Sequence, residues 1–184
     1  MKTWLVSIAV FSLCFCGVAI PGKPPAADAG KDAASPPAGA AAKPVKIEHA
    51  AVGAKVIATS THKGVGNEAE PEAVVDGDLS TRWSSEYSAP QWLEIYLPKM
   101  TALARVRLHW EQACAANYSV SLLSASNEWK KVYLYFNPKA KAAKRVDDID
   151  LKDARATAIR LDLLAAVNTN WGFSLYEVEA VPSK

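Results

Sequence analysis

Apolar side chains in the second half of the chain fall on alternate positions: Leu93/Ile95/Leu97, Val106/Leu108/Trp110, Tyr118/Val120/Leu122 and Ile159/Leu161/Leu163. A repeat of two marks an extended strand with one buried face, whereas a helix brings its apolar residues round every three or four positions. Arg105, Arg107 and His109 alternate with the second set, and Arg160 and Asp162 with the last, so the other face of these strands is predicted to meet water. Turn-forming pairs such as Asp76-Gly77, Ser126-Asn127 and Asn137-Pro138 separate the runs. No segment carries a convincing amphipathic helical repeat. A set of about eight short strands predicts an all-β fold of two packed sheets, a β-sandwich.

The start of the chain reads differently. Lys2 precedes an apolar stretch, residues 3–20, that stops at Pro21-Gly22 and is short for a membrane span. Residues 1–19 are read as a signal peptide cut after Ala19, because Gly17-Val18-Ala19 supplies the small side chains a signal peptidase accepts. Lipid anchoring at Cys16 is not favoured, since bulky Phe15 stands where a small residue is required; Leu13 does the same for Cys14. Residues 20–44 are rich in Ala, Pro and Gly and cannot bury enough apolar surface to offset their ordering entropy, so an extended linker is expected there. The folded domain is assigned to residues 45–184, in a secreted, periplasmic or cell-envelope protein.

Composition narrows the function. The 184 residues carry 21 Lys and Arg against 19 Asp and Glu, a net charge of +2. That excess falls in the leader and linker, so the domain is close to neutral and has no basic surplus for a row of phosphates. Nucleic acid is not an expected partner. Membrane binding is not expected either, apart from an N-terminal anchor, because Val65 is the one bulky apolar residue between Thr61 and Glu72. No Gly-x-Ser-x-Gly elbow, phosphate-cradling glycine loop or zinc-spaced His pair occurs, so an enzyme is not predicted.

Ala73-Val-Val-Asp-Gly-Asp-Leu-Ser-Thr-Arg-Trp83 resembles the opening motif of the discoidin, or factor 5/8 type C, domains, which include the family 32 carbohydrate-binding modules. The resemblance continues in order through Gln91-Trp-Leu-Glu-Ile-Tyr-Leu97, Val106-Arg-Leu-His-Trp-Glu111, Asn117-Tyr-Ser-Val-Ser-Leu122, Ala158-Ile-Arg-Leu161 and Trp171-Gly-Phe-Ser-Leu-Tyr-Glu-Val178. It implies a jelly-roll β-sandwich of the galactose-binding-domain-like type that binds glycan without catalysis. Vertebrate members bridge a Cys near each end of the domain; Cys114 stands alone here, so stability is not expected to depend on a disulfide.

The resemblance also implies a structural calcium. Side-chain oxygens would come from Asp76, Thr81 and Glu177, and backbone oxygens from Ala73, Asp78, Thr81 and Tyr176. Read from the residues alone, the Asp76 loop is either such a hard-cation site or an Asx-turn in which Asp76 caps its own loop amides.

Trp171 lies in the polar segment Val167-Asn-Thr-Asn-Trp-Gly172. It is either a ring on which a sugar stacks, with Asn168 and Asn170 bonding hydroxyls, or a lid over the sandwich mouth. His62, Lys63, Glu86 and Tyr87 lie where sugar-contacting residues occur in the family. Ser84 stands where galactose binders place His, and Val167 where many bacterial members carry Arg, so galactose itself is not implied. Glu111 is read equally as a ligand contact and as a loop anchor. Trp83, Trp92, Trp110 and Trp129 are expected in the core, and Cys114 as a small buried hydrophobe. Lys139, Lys141, Lys144 and Arg145 are expected to form a solvated loop. The leading expectation is a glycan or cell-surface polysaccharide as partner; the alternative is a protein-interaction or adhesion module without sugar binding.

Overall fold

The structure is a computed structural model, and it describes residues 46–62 and 70–184. The expected signal peptide (residues 1–19), the expected linker (residues 20–44) and Lys63 lie outside the described residues. Among the described residues seven strands are present: β1 (Lys55–Ala58), β2 (Trp83–Ser84), β3 (Gln91–Trp110), β4 (Ala115–Leu123), β5 (Trp129–Phe136), β6 (Arg145–Ala166) and β7 (Ser174–Pro182). A single 3-10 turn, Pro71–Val75, is the only helical element among the described residues.

All pairings are antiparallel, in the order β2-β7-β3-β6-β4-β5 with β1 also on β3. The two long strands create both layers. The first half of β3 pairs with β1 and with the second half of β6, which in turn pairs with β4. The second half of β3 pairs with β7 and the first half of β6. Register shifts at Tyr96/Thr101 and Leu103/Arg105 let β3 turn the corner between layers without breaking. On β6 the corner falls at Lys152 and Asp153, whose φ values of 52° and 61° are left-handed; the Lys152 N–H donates to Asp150 Oδ1 at 2.9 Å there. The expected sandwich of about eight strands is thus present, with seven among the described residues, and bulges on β3 carry the chain from one layer to the other.

The alternating residues close the core as the period of two requires. Leu93, Ile95, Val106, Leu108, Trp110, Tyr118, Val120, Ile159, Leu161 and Leu163 are all buried in one cluster with Trp83, Leu175 and Val178. Trp83 and Trp110 thus pack inside as expected, whereas Trp92 is half-buried under the Arg160 guanidinium and Trp129 is exposed at the start of β5. The reason is position: β5 is an edge strand, and its outward side chains have no second layer over them.

Arg145 corrects the reading of the basic run. Its guanidinium lies over Trp110 and Tyr135, donates from Nη2 to the Ala115 carbonyl at 2.7 Å, and pairs through Nε with Asp147 at 3.0 Å. Asp147 Oδ2 also accepts from Trp110 Nε1 and the Tyr118 hydroxyl, both at 2.8 Å. The charge is held inward because a desolvated carboxylate needs it. Burial and Asp147 together push the Tyr118 phenol well above its ordinary range. Cys114, free and fully buried, lies against Arg145 Nη1 at 2.8 Å. Lys139, Lys141 and Lys144 do face solvent.

Candidate functional site

Two places in the fold gather the residues singled out from the sequence. The first is the Asp76 loop. Gly77 has φ 77°, and a Cβ there would lie 2.7 Å from the Ile47 carbonyl, so only glycine closes this turn. Asp76 Oδ1 accepts the Asp78 N–H at 2.8 Å, and Oδ2 accepts the Thr81 hydroxyl at 2.7 Å. The Gly77 N–H donates to Glu177 Oε2 at 3.1 Å, joining the loop to β7.

Glu177 is fully buried, and His49 Nε2 meets its Oε1 at 2.9 Å. The other ring nitrogen accepts from the Ala51 and Ala180 amides, which places the histidine proton on the glutamate side. Burial pushes the Glu177 carboxyl above its ordinary value, with Asp76 adding to the rise and His49 opposing it. Asp78 goes the other way: hydrogen bonds from the Ser80 hydroxyl and amide hold it below the usual range.

The donors of this loop fit a hard cation in kind, being carboxylate, hydroxyl and peptide oxygens. Tyr176 adds to the fit, since it falls in the register shift between the Glu177/His109 and Leu175/Trp110 pairs and has no cross-strand partner in the ladder. Among the described residues no three His, Cys, Asp or Glu side chains cluster as a metal site, so the carbonyls of Ala73, Asp78, Thr81 and Tyr176 would have to complete any shell. The loop is also closed by its own hydrogen bonds, as the Asx-turn reading requires.

The second place is the rim where β2 meets β7. Trp83 pairs with Leu175 and Ser84 with Ser174, which lays residues 85–87 alongside residues 171–173. The Ser85 N–H donates to the Phe173 carbonyl, and the Phe173 N–H to Ser85 Oγ, each at 2.9 Å. Gly172 makes this approach close: a Cβ would lie 2.5 Å from the Ser85 carbonyl oxygen. Glu111 joins from the end of β3, its N–H donating to the Ser174 carbonyl at 3.1 Å.

These segments enclose an open cavity of about 120 Å³ lined by Arg82, Ser84, Tyr87, Glu111 and Trp171 with their backbone neighbours. Tyr87 is 61% exposed and Trp171 39%, so both rings are accessible at the mouth. In the same cavity, Glu111 Oε2 accepts the Ala113 N–H at 2.9 Å, and Oε1 stands 3.8 Å from Arg82 Nη1. The cavity thus offers two rings, a carboxylate and a guanidinium, the mixture that suits a polyhydroxylated ring with an apolar face.

The sequence expectations divide here. Tyr87 and Trp171 line the cavity together. His62 and Glu86 stand beside Tyr87: the two rings are 4.7 Å apart, the Tyr87 hydroxyl is 3.2 Å from His62 Nε2, and Glu86 Oε2 is 3.6 Å from His62 Nδ1. They hold Tyr87 in place and do not line the cavity. Asn168 and Asn170 do not line it either. Asn168 Oδ1 accepts the Asn170 N–H at 3.0 Å and its carbonyl accepts the Trp171 N–H at 3.1 Å, so Asn168 shapes the turn that presents the ring. Arg82 was not singled out by sequence; its place inside the opening motif, one residue before Trp83, was the available signal.

Residues 55–178 match the family described as the F5/8 type C domain. Among solved structures the chain is similar to chitosan-binding module 2, in complex with chitotriose, of a chitosanase/glucanase from Paenibacillus sp. IK-5. The identity is 29% over 72% of this chain and 99% of that one, with a TM-score of 0.62. It also resembles CpGH89CBM32-5 from Clostridium perfringens in complex with GalNAc-β-1,3-galactose (21% identity, 70% and 94% coverage, TM-score 0.59). A third is the family 32 module of NanJ from C. perfringens in complex with galactose (18%, 68% and 90%, TM-score 0.56). No curated protein matches.

Proposed function

This chain belongs to the F5/8 type C domain family, and on that premise we propose that it is a non-catalytic carbohydrate-binding module of a secreted or envelope protein, taking a glucosamine-containing glycan at the Tyr87–Trp171 cavity. The observation that carries the reading is that the Glu111 carboxylate lines one cavity with two exposed rings. A sugar stacks its apolar face on Trp171, and its ammonium pairs with Glu111, which Arg82 approaches only to 3.8 Å. The Arg82 guanidinium, which lines the same cavity, serves the ring hydroxyls. The chitosan-binding module from Paenibacillus, at 29% identity, supports this choice of sugar.

The cavity is shallow, so about 0.3 kcal/mol per ligand atom gives roughly 4–6 kcal/mol and a Kd from about 1 mM to tens of micromolar. Isothermal titration of the full chain with a glucosamine trisaccharide, its fully N-acetylated counterpart and galactose tests the reading. Binding of the first above the other two is expected. Silence from all three with a cooperative melt would refute it.

The Asp76 loop is proposed to hold a structural calcium through Asp76, Thr81, Glu177 and the nearby carbonyls. It would brace the start of the sandwich against β7. Thermal melts in chelator and then in calcium test this, with a rise in Tm expected; an unchanged midpoint would leave the loop to its own hydrogen bonds.

A protein-interaction reading rests on β5, where Leu134 and Phe136 are 59% and 68% exposed on an edge strand. It is favoured if no glycan binds and Phe136→Ser abolishes capture of a partner protein.

A further inference from the structure

A second cavity, of about 180 Å³, meets the first at Trp171. Its other walls are Leu164, Ala165 and Ala166 from the end of β6, Thr169 from the turn before Trp171, and Ser88 and Ala89. Among the described residues no charged side chain lines it, in contrast to its neighbour with Arg82 and Glu111. Leu164 is 41% exposed, an aliphatic side chain left in solvent at the cavity edge. The Ser88 hydroxyl accepts from Gln91 Nε2 at 2.8 Å, which fixes that wall.

Two adjoining cavities that share one indole, one charged and one neutral, suit two successive units of a single oligosaccharide carrying different substituents. We propose that the Leu164/Ala166/Thr169 cavity is a second subsite that takes the uncharged N-acetyl group of the sugar unit next to the glucosamine held at Glu111. This inference rests on the glycan reading above and deepens it: the preferred ligand is a partly acetylated glucosamine chain rather than a fully deacetylated one. The acetyl methyl leaves water against Leu164, Ala166 and Trp171, and Thr169 in the same lining brings a hydroxyl for the amide. An ammonium in the same position finds no counter-charge and loses hydration.

The test compares three probes by titration against the full chain: glucosamine, the glucosamine disaccharide, and the disaccharide whose second unit is N-acetylated. Burial of one methyl-sized group predicts about fourfold tighter binding of the acetylated disaccharide than of the unacetylated one. Leu164→Asp, at an exposed position, should erase that gain while leaving the affinity for glucosamine unchanged; Ala165→Phe, which fills the cavity, should do the same. Equal binding of the two disaccharides, or a gain that survives both substitutions, overturns the subsite and leaves the first cavity standing. No binding of any probe overturns the glycan reading and this inference with it.

Discussion

Replacing Gly172 by Ala probes how the binding rim is assembled. Gly172 is not in the left-handed region, so the backbone itself accepts a side chain; what is missing is room. The new methyl would lie 2.5 Å from the Ser85 carbonyl oxygen and 2.7 Å from that of Glu86, where carbon and oxygen ordinarily stay about 3.3 Å apart. Both obstacles are backbone, so neither can rotate away. The 171–173 segment must withdraw from residues 85–86 by several tenths of an ångström, stretching the two 2.9 Å bonds that join Ser85 and Phe173. Overpacking of this kind costs about 1–3 kcal/mol, which for a domain of this size lowers Tm by roughly 3–12 °C. Because Trp171 precedes the displaced residue and Tyr87 follows the other side, the two rings separate, and glycan affinity should fall about tenfold, or 1.4 kcal/mol. Calorimetric melting and titration of the same preparation read both effects. A Tm within about 1 °C of wild type, with unchanged affinity, would refute the claim that this close approach builds the site.

Glu111→Gln should cost the charged sugar about 1.5–3 kcal/mol and the neutral sugar little, so that titration no longer separates the two. Asp76→Ala, measured by urea unfolding in chelator, should destabilise the domain by about 1–2 kcal/mol through the lost Asp78 and Thr81 hydrogen bonds, with or without an ion in the native protein. Tyr118 is neutral in the folded state and its pKa is raised above the unfolded value of 10.0, so its contribution is complete below that pH and is lost as pH rises through and beyond it. Denaturation midpoints of wild type should therefore drop above about pH 10, while Tyr118→Phe, weaker by roughly 1 kcal/mol at neutral pH, should show a shallower decline.

Much of the architecture was legible because a period of two leaves few alternatives for Leu93 to Leu97, Val106 to Trp110 or Ile159 to Leu163. The continuity of β3 and β6 was not. Cross-strand register alone reveals that the chain bends near Pro98 and at Lys152-Asp153 without leaving the sheet. Trp129 read as core because an aromatic beside a strand usually is; that its strand lies at an edge is a property of topology. Tyr87 and Trp171, which line one cavity, were singled out through a family motif and a polar loop. Arg82 and Glu111 became a pair only when β2, β3 and β7 met, since they are far apart along the chain. Asn168 was singled out because amides suit sugars; that its Oδ1 accepts the Asn170 N–H in a tight turn follows from local backbone geometry, which the sequence pattern does not display.

The most direct test of the account is a crystal structure of the full chain with a glucosamine trisaccharide. The account predicts one sugar ring on Trp171 beside Tyr87, with its amine nitrogen about 3 Å from a Glu111 carboxylate oxygen. A trisaccharide seated away from Trp171, or one whose amine points to solvent while Glu111 keeps only Ala113 and Arg82, would contradict it.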